Sequence, residues 1–224
     1  MTLRSAVITR EGGQVGETEV DGSVCDCCQT ALARSGQNII AVYRDRSAAE
    51  IRDIYRVIYN IDQERWGEPG AVSNDGWEIA GCPVNGPSVA AHGETVITAW
   101  FTAADDQPRS YMAVSSDGGL TFGAPELLQE GPSIGRVAVA FSMEGMALLT
   151  WVSTQGEKPG VQGRFWNNGS GLETRFMIGE IDGSRSSGFP RSAALARDFL
   201  VTWTRVEPDF SVVTAVVTPG VTEN

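Results

Sequence analysis

The apolar residues of this chain fall in short runs separated by Gly, Pro, Asp and Ser, and the runs repeat. Four segments share one pattern, in which a short apolar strand is followed by a turn and a second strand that ends in an aromatic residue. They are 29–43, 86–100, 136–151 and 189–203, ending at Tyr43, Trp100, Trp151 and Trp203. These aromatic residues are 57, 51 and 52 residues apart, which indicates a repeat architecture with a period of about 50 residues.

A second hairpin follows each strand pair, most clearly at 109–128 and less clearly at 4–16, 56–69 and 163–171. One unit is therefore four antiparallel strands, which is the size and content of a β-propeller blade. We predict an all-β chain that forms a single, incomplete propeller domain over 1–224 with about four blades. The predicted blades lie near 22–72, 79–128, 132–178 and 185–217, and 4–20 ends a preceding blade. Segment 47–55 is predicted to be a loop followed by a strand.

The chain of 224 residues has a formal net charge of −11. An acidic surface repels phosphate backbones, so nucleic acid is disfavoured as a partner. No apolar run approaches the length of a membrane span. The first residues hold no apolar stretch of the kind found in secretory leaders.

Blade topology predicts which connections share a face. If the strands of a blade are labelled A to D from the centre outwards, the D–A and B–C connections lie on one face, here called the mouth face. The D–A connections are 21–29, 75–87, 131–136 and 182–191; the B–C connections are 44–50, 103–109, 153–160 and 205–210. They hold most of the polar, charged and Gly-rich segments, so a ligand site is expected there.

All four cysteines lie in D–A connections. Cys25, Cys27 and Cys28 are in the first connection, and Cys82 occupies the position one repeat after Cys25. The four sulfurs should therefore converge on the mouth face. Two disulfides, a thiolate-bound metal such as zinc or copper, and buried free thiols are all compatible with this pattern. His92 falls in an A–B turn on the opposite face and is not expected to be a ligand.

Two groups of arginines are candidates for recognising an anion. Arg44 and Arg46 belong to a charged segment that also holds Asp45 and Glu50, and this segment is either a salt-bridged loop or a ligand-binding surface. Arg136 and Arg191 begin the innermost strands of two blades. They either make structural ion pairs or contact an acidic ligand in the channel.

The turn at 115–122 carries a recognisable motif. Its sequence, Ser-Ser-Asp-Gly-Gly-Leu-Thr-Phe, matches the Ser-x-Asp-x-Gly-x-Thr-Trp/Phe pattern called the Asp box through Ser115, Asp117, Gly119, Thr121 and Phe122. The chain thus resembles the sialidase-like propellers with Asp-box (bacterial neuraminidase) repeats. Because the box is a C–D turn, it lies away from the mouth face, and we interpret it as structural.

The resemblance implies a fold, a substrate class and a location. Sialidases of this kind have six blades, so the chain is a fragment, is completed by a partner, or forms a small closed ring. Unpaired blade edges would favour pairing with another copy. The family is exported and acts on acidic sugars with arginines, a Tyr–Glu pair and an Asp acid/base. Its Arg-Ile-Pro motif is absent here. On this basis Asp45, Arg136 and Arg191 are the candidate catalytic residues, and an acidic glycan is the expected ligand; the alternative is a non-catalytic module built around the cysteines.

Overall fold

A computed structural model describes residues 1–206 and 208–220. Within these residues the chain forms a partial β-propeller of five successive antiparallel sheets, with two short 3-10 helices as its only helical segments. The prediction of an all-β propeller is therefore confirmed. Glu207, in the fourth predicted B–C connection, and residues 221–224, at the end of the predicted domain, lie outside the described residues.

The sheets follow one another in chain order. The first sheet contains β1 (Leu3–Ile8) and β2 (Gln14–Asp21). The second contains β3 (Ala31–Ser35), β4 (Asn38–Arg44), β5 (Ile54–Asn60), β6 (Arg65–Trp66) and β7 (Gly70–Ala71). The third contains β8 (Ser88–His92), β9 (Thr95–Thr102), β10 (Arg109–Ser115) and β11 (Glu126–Leu127). The fourth contains β12 (Ser133–Phe141), β13 (Ala147–Ser153), β14 (Gly160–Asn167), β15 (Gly171–Leu172) and β16 (Phe176–Glu180). The fifth contains β17 (Arg191–Leu195), β18 (Asp198–Arg205) and β19 (Ser211–Val217), and the 3-10 helices are Ala104–Asp106 and Arg185–Ser187.

The first strands of neighbouring sheets lie against each other, so β3, β8, β12 and β17 line the centre of the assembly. Within each sheet the next strand pairs antiparallel with the first, as a short hairpin connection allows. The sheets stack face to face, and apolar clusters fill the gaps between them. The closing aromatics of the repeat belong to this packing, since Tyr43, Trp100, Trp151 and Trp203 are all buried.

The second strands of the fourth and fifth sheets differ in burial, because neighbouring sheets cover them to different extents. Every residue of β13 is buried, because sheets pack on both of its faces. Strand β18 alternates, with Phe199, Val201 and Trp203 buried and the residues between them partly exposed. This period of two is typical of a sheet with one solvated face. On neighbouring β19, the Val212 and Val216 side chains are exposed.

The turn at 115–122 is stabilised by its own side chains. The Ser115 hydroxyl donates to Asp117 at 2.7 Å, and the Thr121 backbone N–H donates to the same carboxylate at 2.9 Å. These bonds lower the pKa of Asp117 to about 2, the Thr121 hydroxyl being the strongest donor. Phe122 packs against apolar clusters between the second and third sheets.

The prediction for segment 47–55 is also confirmed, because a loop leads there into β5 at Ile54. Among the described residues, no helix has the length and apolar character required to cross a membrane.

Candidate functional site

The first and second D–A connections meet on the mouth face and are held together by a pair of amide hydrogen bonds. The Gln29 side-chain amide donates to the Gly86 carbonyl at 3.2 Å and accepts from the Gly86 backbone N–H at 3.0 Å. The approach is so close that a β-carbon on Gly86 would lie 2.0 Å from the Gln29 carbonyl oxygen. Glycine is therefore required at this point, and its absence of a side chain lets the two cysteine segments meet.

The four cysteine sulfurs converge where these segments meet. Cys27 and Cys82 form a disulfide with a Cα–Cα distance of 6.0 Å, which is in the usual range. Cys25 and Cys28 are free, and the Cys25 sulfur lies 3.5 Å from the sulfurs of both Cys27 and Cys28. The sulfurs of Cys25, Cys27 and Cys28 are close enough together to bind one metal ion. Burial raises the pKa of the Cys28 thiol to about 11, although the charge of Arg44 acts in the opposite direction.

Arg44, one of the predicted ligand-binding residues, is enclosed by the protein. Its side chain is only 1% exposed and donates to the carbonyls of Asn85, Arg52 and Phe101. Its guanidinium also lies 4.9 Å from the centre of the Trp77 ring. Burial lowers the pKa of Arg44, whereas Cys28 and Cys25 are the first of the nearby groups that favour its charge. Arg44 therefore lies beside the sulfur cluster in the interior of the protein, and its side chain is shielded from solvent.

The rest of the charged segment forms a bonded loop. Glu50 accepts from Arg46 at 2.6 Å and from Arg52 at 2.7 Å, and both arginines lower the pKa of its carboxyl. The other Arg52 Nη atom donates to the Cys25 sulfur at 3.2 Å. Arg46 is partly exposed but already paired, so its placement supports the salt-bridged alternative.

The two arginines of the innermost strands have different environments. Arg136 is 5% exposed; it donates to the Ser187 hydroxyl at 2.7 Å and to the Ser184 carbonyl at 2.7 Å. It thus holds the fourth D–A connection through bonds to neutral groups, and it forms no ion pair with the described residues. Arg191 begins β17 and is exposed. It is the candidate that an acidic ligand could reach.

Asp45 lies half-buried near two other carboxylates. Burial, followed by the charges of Asp21 and Asp53, raises the pKa of Asp45 to about 6. Asp21 accepts from the Tyr43 hydroxyl at 2.5 Å, while Asp53 accepts backbone N–H groups from the second D–A connection. Burial and then these three carboxylates raise the pKa of Tyr55. A raised carboxyl pKa occurs in acid/base centres and also in buried structural carboxylates.

Sequence reasoning missed Asn85. Its side chain accepts from the Arg136 backbone N–H at 2.8 Å and donates to the Ile134 carbonyl at 2.9 Å, while its own carbonyl accepts from Arg44. Asn85 therefore joins segments of three successive blades. In the sequence Asn85 is distinguished only by its position between Cys82 and the start of the next blade. That position does not indicate which groups the side chain bonds.

The opposite face carries the A–B turns, as the parity of the strands predicts. His92 is exposed and its Nε2 lies 3.3 Å from the Met143 carbonyl of the next A–B turn. The turn at 115–122 is also on this face, because Gly118 donates its backbone N–H to the Glu94 carbonyl at 2.9 Å. Neither His92 nor the turn at 115–122 contributes to the cysteine site.

No family model matches the chain, and no curated protein is significantly similar to it. Solved structures with a similar fold include a protein of unknown function from Dyadobacter fermentans, which is 12% identical with a TM-score of 0.60. The match covers 98% of this chain and 70% of that protein. The Hadza microbial sialidase Hz136 is 12% identical with a TM-score of 0.57, over 85% of this chain and 46% of the sialidase.

A xylan β-1,4-xylosidase from Bacillus halodurans is also similar, with 11% identity and a TM-score of 0.51 over 90% of this chain and 42% of that enzyme. The chain thus spans less than half the length of the sialidase and the xylosidase. At this level of identity the likeness establishes a propeller fold of the kind that glycosidases also use, and a fold alone does not assign a function.

Proposed function

We propose that the protein is a propeller module that binds a thiophilic metal ion, zinc or copper, through Cys25, Cys27, Cys28 and Cys82. The sulfurs of Cys25, Cys27 and Cys28, which lie within 4.8 Å of one another, carry this proposal, and Cys82 from the next blade joins them through its bond to Cys27. Four thiolates are a common ligand set for a tetrahedral metal site, and thiolate is a soft ligand that favours zinc and copper.

Hydrogen bonds around the sulfurs hold the cysteine segments in place, as a metal site requires. The Gln29–Gly86 pair fixes the two cysteine segments relative to each other. Arg44 and Arg52 fix the loop beside them through buried hydrogen bonds. Cys25 is buried, whereas Cys82 is exposed, so a metal ion could enter from the solvent side of the mouth face.

The test is metal analysis of the purified, reduced protein. The chain is treated with excess dithiothreitol, which supplies two electrons to open the Cys27–Cys82 bond, and then with Zn²⁺ or Cu⁺ before desalting. We expect one metal ion per chain, with loss of binding in Cys25→Ser and Cys28→Ser. Thr154→Ala, a substitution at an exposed position in another connection, is the control. A wild-type chain that retains no metal would refute the proposal.

We propose glycan binding or hydrolysis as a second candidate, of the kind found in the sialidase-like, Asp-box propellers. The raised pKa of Asp45 in a group of carboxylates and tyrosines favours it, and the sialidase and xylosidase with a similar fold agree with it. In this candidate Asp45 is the acid/base and Arg191 binds an acidic sugar. Arg136 is less suited to this role, because its guanidinium is held by Ser187 and Ser184.

A panel of 4-nitrophenyl glycosides, together with the sialic acid substrate 4-methylumbelliferyl-N-acetylneuraminic acid, tests this candidate. Hydrolysis that is lost in Asp45→Asn, and whose KM is raised in Arg191→Ala, would support this candidate. Turnover that is unchanged in both variants, or no turnover and no sugar binding by calorimetry, would remove it.

A further inference from the structure

A cavity of about 340 Å³ lies on the face opposite the cysteines, where turns of the third and fourth sheets meet. It is formed by the A–B turns that follow β8 and β12 and by the turn that follows β14. Its lining combines three aromatic rings with side chains that can bond hydroxyl groups, and it includes His92, Phe141, Glu144, Trp166, Asn167 and Asn168. Ligand cavities span about 300–1,000 Å³, so this one suits a ligand of one or two rings.

The three aromatic rings of the cavity follow one another. The centroid of the His92 ring lies 5.9 Å from that of Phe141, and Phe141 meets the Trp166 ring edge-on with a centroid distance of 6.3 Å. His92 is exposed and Phe141 is partly exposed, whereas Trp166 is only 5% exposed. A ligand in the cavity therefore contacts aromatic carbon as well as polar groups.

The indole N–H of Trp166 has no hydrogen-bond partner among the described residues. The indole N–H groups of four other tryptophans, by contrast, donate to protein oxygens. A mostly buried tryptophan usually finds such a partner. The Trp166 nitrogen is also not among the unpartnered atoms that are fully enclosed, such as Arg52 Nε. Because Trp166 lines the cavity, an oxygen atom of a ligand is the acceptor that this N–H lacks.

The polar groups of the cavity narrow the class of ligand. Glu144 and Asn168 are exposed, and no lysine or arginine is present in the part of the lining that the structure describes. An anionic ligand would face the Glu144 carboxylate without a cation to compensate it. A quaternary ammonium ion would leave the Trp166 N–H without an acceptor. A neutral sugar ring supplies hydroxyls that both accept and donate, and its C–H groups match the negative faces of aromatic rings.

The turns around the cavity are held by their own hydrogen bonds. Ser142 donates its backbone N–H to the Met146 carbonyl at 2.7 Å, and its hydroxyl accepts from the Met146 N–H at 3.2 Å. Gly145 has a φ of +82°, and a β-carbon there would lie 3.1 Å from the His92 ring. The Asn167 side chain accepts two backbone N–H groups of the next turn, each at 2.9 Å. A lining that is already ordered lowers the entropic cost of binding.

From these observations we infer that the cavity is a binding site for one unit of a neutral saccharide. The aromatic rings contact the C–H face of the sugar, while the Trp166 N–H and the Glu144 carboxylate bond its hydroxyls. The site shares no residue with the metal site or with the Asp45 and Arg191 candidate, since both of those lie on the mouth face.

The experiment is isothermal titration calorimetry of the full chain with the methyl glycosides of glucose, galactose, mannose and xylose at millimolar concentrations. We expect at least one of them to bind, and the uronic acid with the same ring to bind about fivefold more weakly or worse. Choline chloride is titrated as the cationic probe. Choline that binds more tightly than every glycoside, or a chain that binds none of the four, would overturn the inference.

Two variants locate the bound sugar. Trp166→Phe keeps the ring and removes the N–H, so affinity should fall about fivefold; Glu144→Ala removes a charged acceptor, so affinity should fall about tenfold. Glu157→Ala, which removes an exposed carboxylate on the mouth face, is the matched control and should bind as the wild type does. Circular dichroism shows whether each variant is folded, and Asn168→Ala replaces Trp166→Phe if the latter unfolds.

The same variants separate this site from the functions proposed above. Metal binding should be unchanged in Trp166→Phe and Glu144→Ala, whatever the result with sugars. Glycoside affinity that stays at the wild-type value in both folded variants would show that the sugar binds elsewhere, and the inference would be wrong.

Discussion

Replacing Asp45 by asparagine should stabilise the protein at neutral pH. The Asp45 carboxyl lies near Asp21 and Asp53, and the one contact that favours its charged form is the backbone N–H of Arg46. Burial and the two neighbouring carboxylates outweigh that contact and disfavour the charge. Asparagine has nearly the same shape and removes the charge, so the unfavourable interaction disappears while the packing remains.

The size of the effect follows from the pKa. Folding raises it from 3.8 to about 6, and each unit corresponds to about 1.4 kcal/mol, so the full penalty would be about 3 kcal/mol. Because the side chain is half-exposed, solvent screening reduces this to about 1 kcal/mol. The folded state binds more protons than the unfolded state between about pH 4 and pH 6, so stability falls as the pH rises through this window and the penalty is complete above it.

The assay is urea unfolding of the wild type and Asp45→Asn from about pH 4 to pH 8. The variant should be more stable by about 1 kcal/mol at the high end and equal to the wild type at the low end. Asp209→Asn, which removes one carboxylate at an exposed position, is measured in parallel as the control. A stability difference that does not change with pH, or a variant less stable than the wild type at pH 8, would refute the reasoning.

Three further predictions concern the cysteine site and the blades. Gly86→Ala should lower the free energy of unfolding by about 3 kcal/mol or more and abolish metal binding, because its β-carbon would overlap the Gln29 carbonyl oxygen. Gly22→Ala, whose β-carbon meets only a flexible side chain, is the control, and equal unfolding midpoints for the two variants would contradict this. Oxidation with excess glutathione disulfide, which takes two electrons from Cys27 and Cys82, should release bound metal, and retention of the metal would show that these sulfurs are not ligands. Gly119→Ala should lower the free energy of unfolding by about 2 kcal/mol or more, because φ at Gly119 is +88° and the new β-carbon would lie 2.6 Å from the Ile40 side chain. Gly12→Ala, with a φ of +84° and open space around it, measures the cost of the positive φ alone.

The repeat of apolar segments was sufficient to predict the sheets, because a blade is a local structure. Each antiparallel pair joins neighbouring segments through a short turn, so alternation, turn residues and a closing aromatic residue identify it. The equivalence of Cys25 and Cys82 in adjacent repeats predicted that the cysteines lie near one another. In the structure the Cys25, Cys27 and Cys28 sulfurs lie within 4.8 Å of one another, and Cys82 is bonded to Cys27. The parity of the strands also placed His92 and the turn at 115–122 on the face away from the cysteines.

The sequence by itself thus determined the strand order, the stacking of sheets and the place where the cysteines converge. Only the tertiary structure decided the roles of the arginines, since the same residue type can face solvent, pair in a loop or lie buried. Arg44, Arg136 and Arg191 all belong to segments predicted to border the mouth face, yet the first two are enclosed by carbonyls and hydroxyls of neighbouring blades and the third is exposed. The Asn85 and Ser184 carbonyls among these partners come from loops of irregular backbone more than 40 residues away in the chain, and no periodicity in the sequence encodes such contacts.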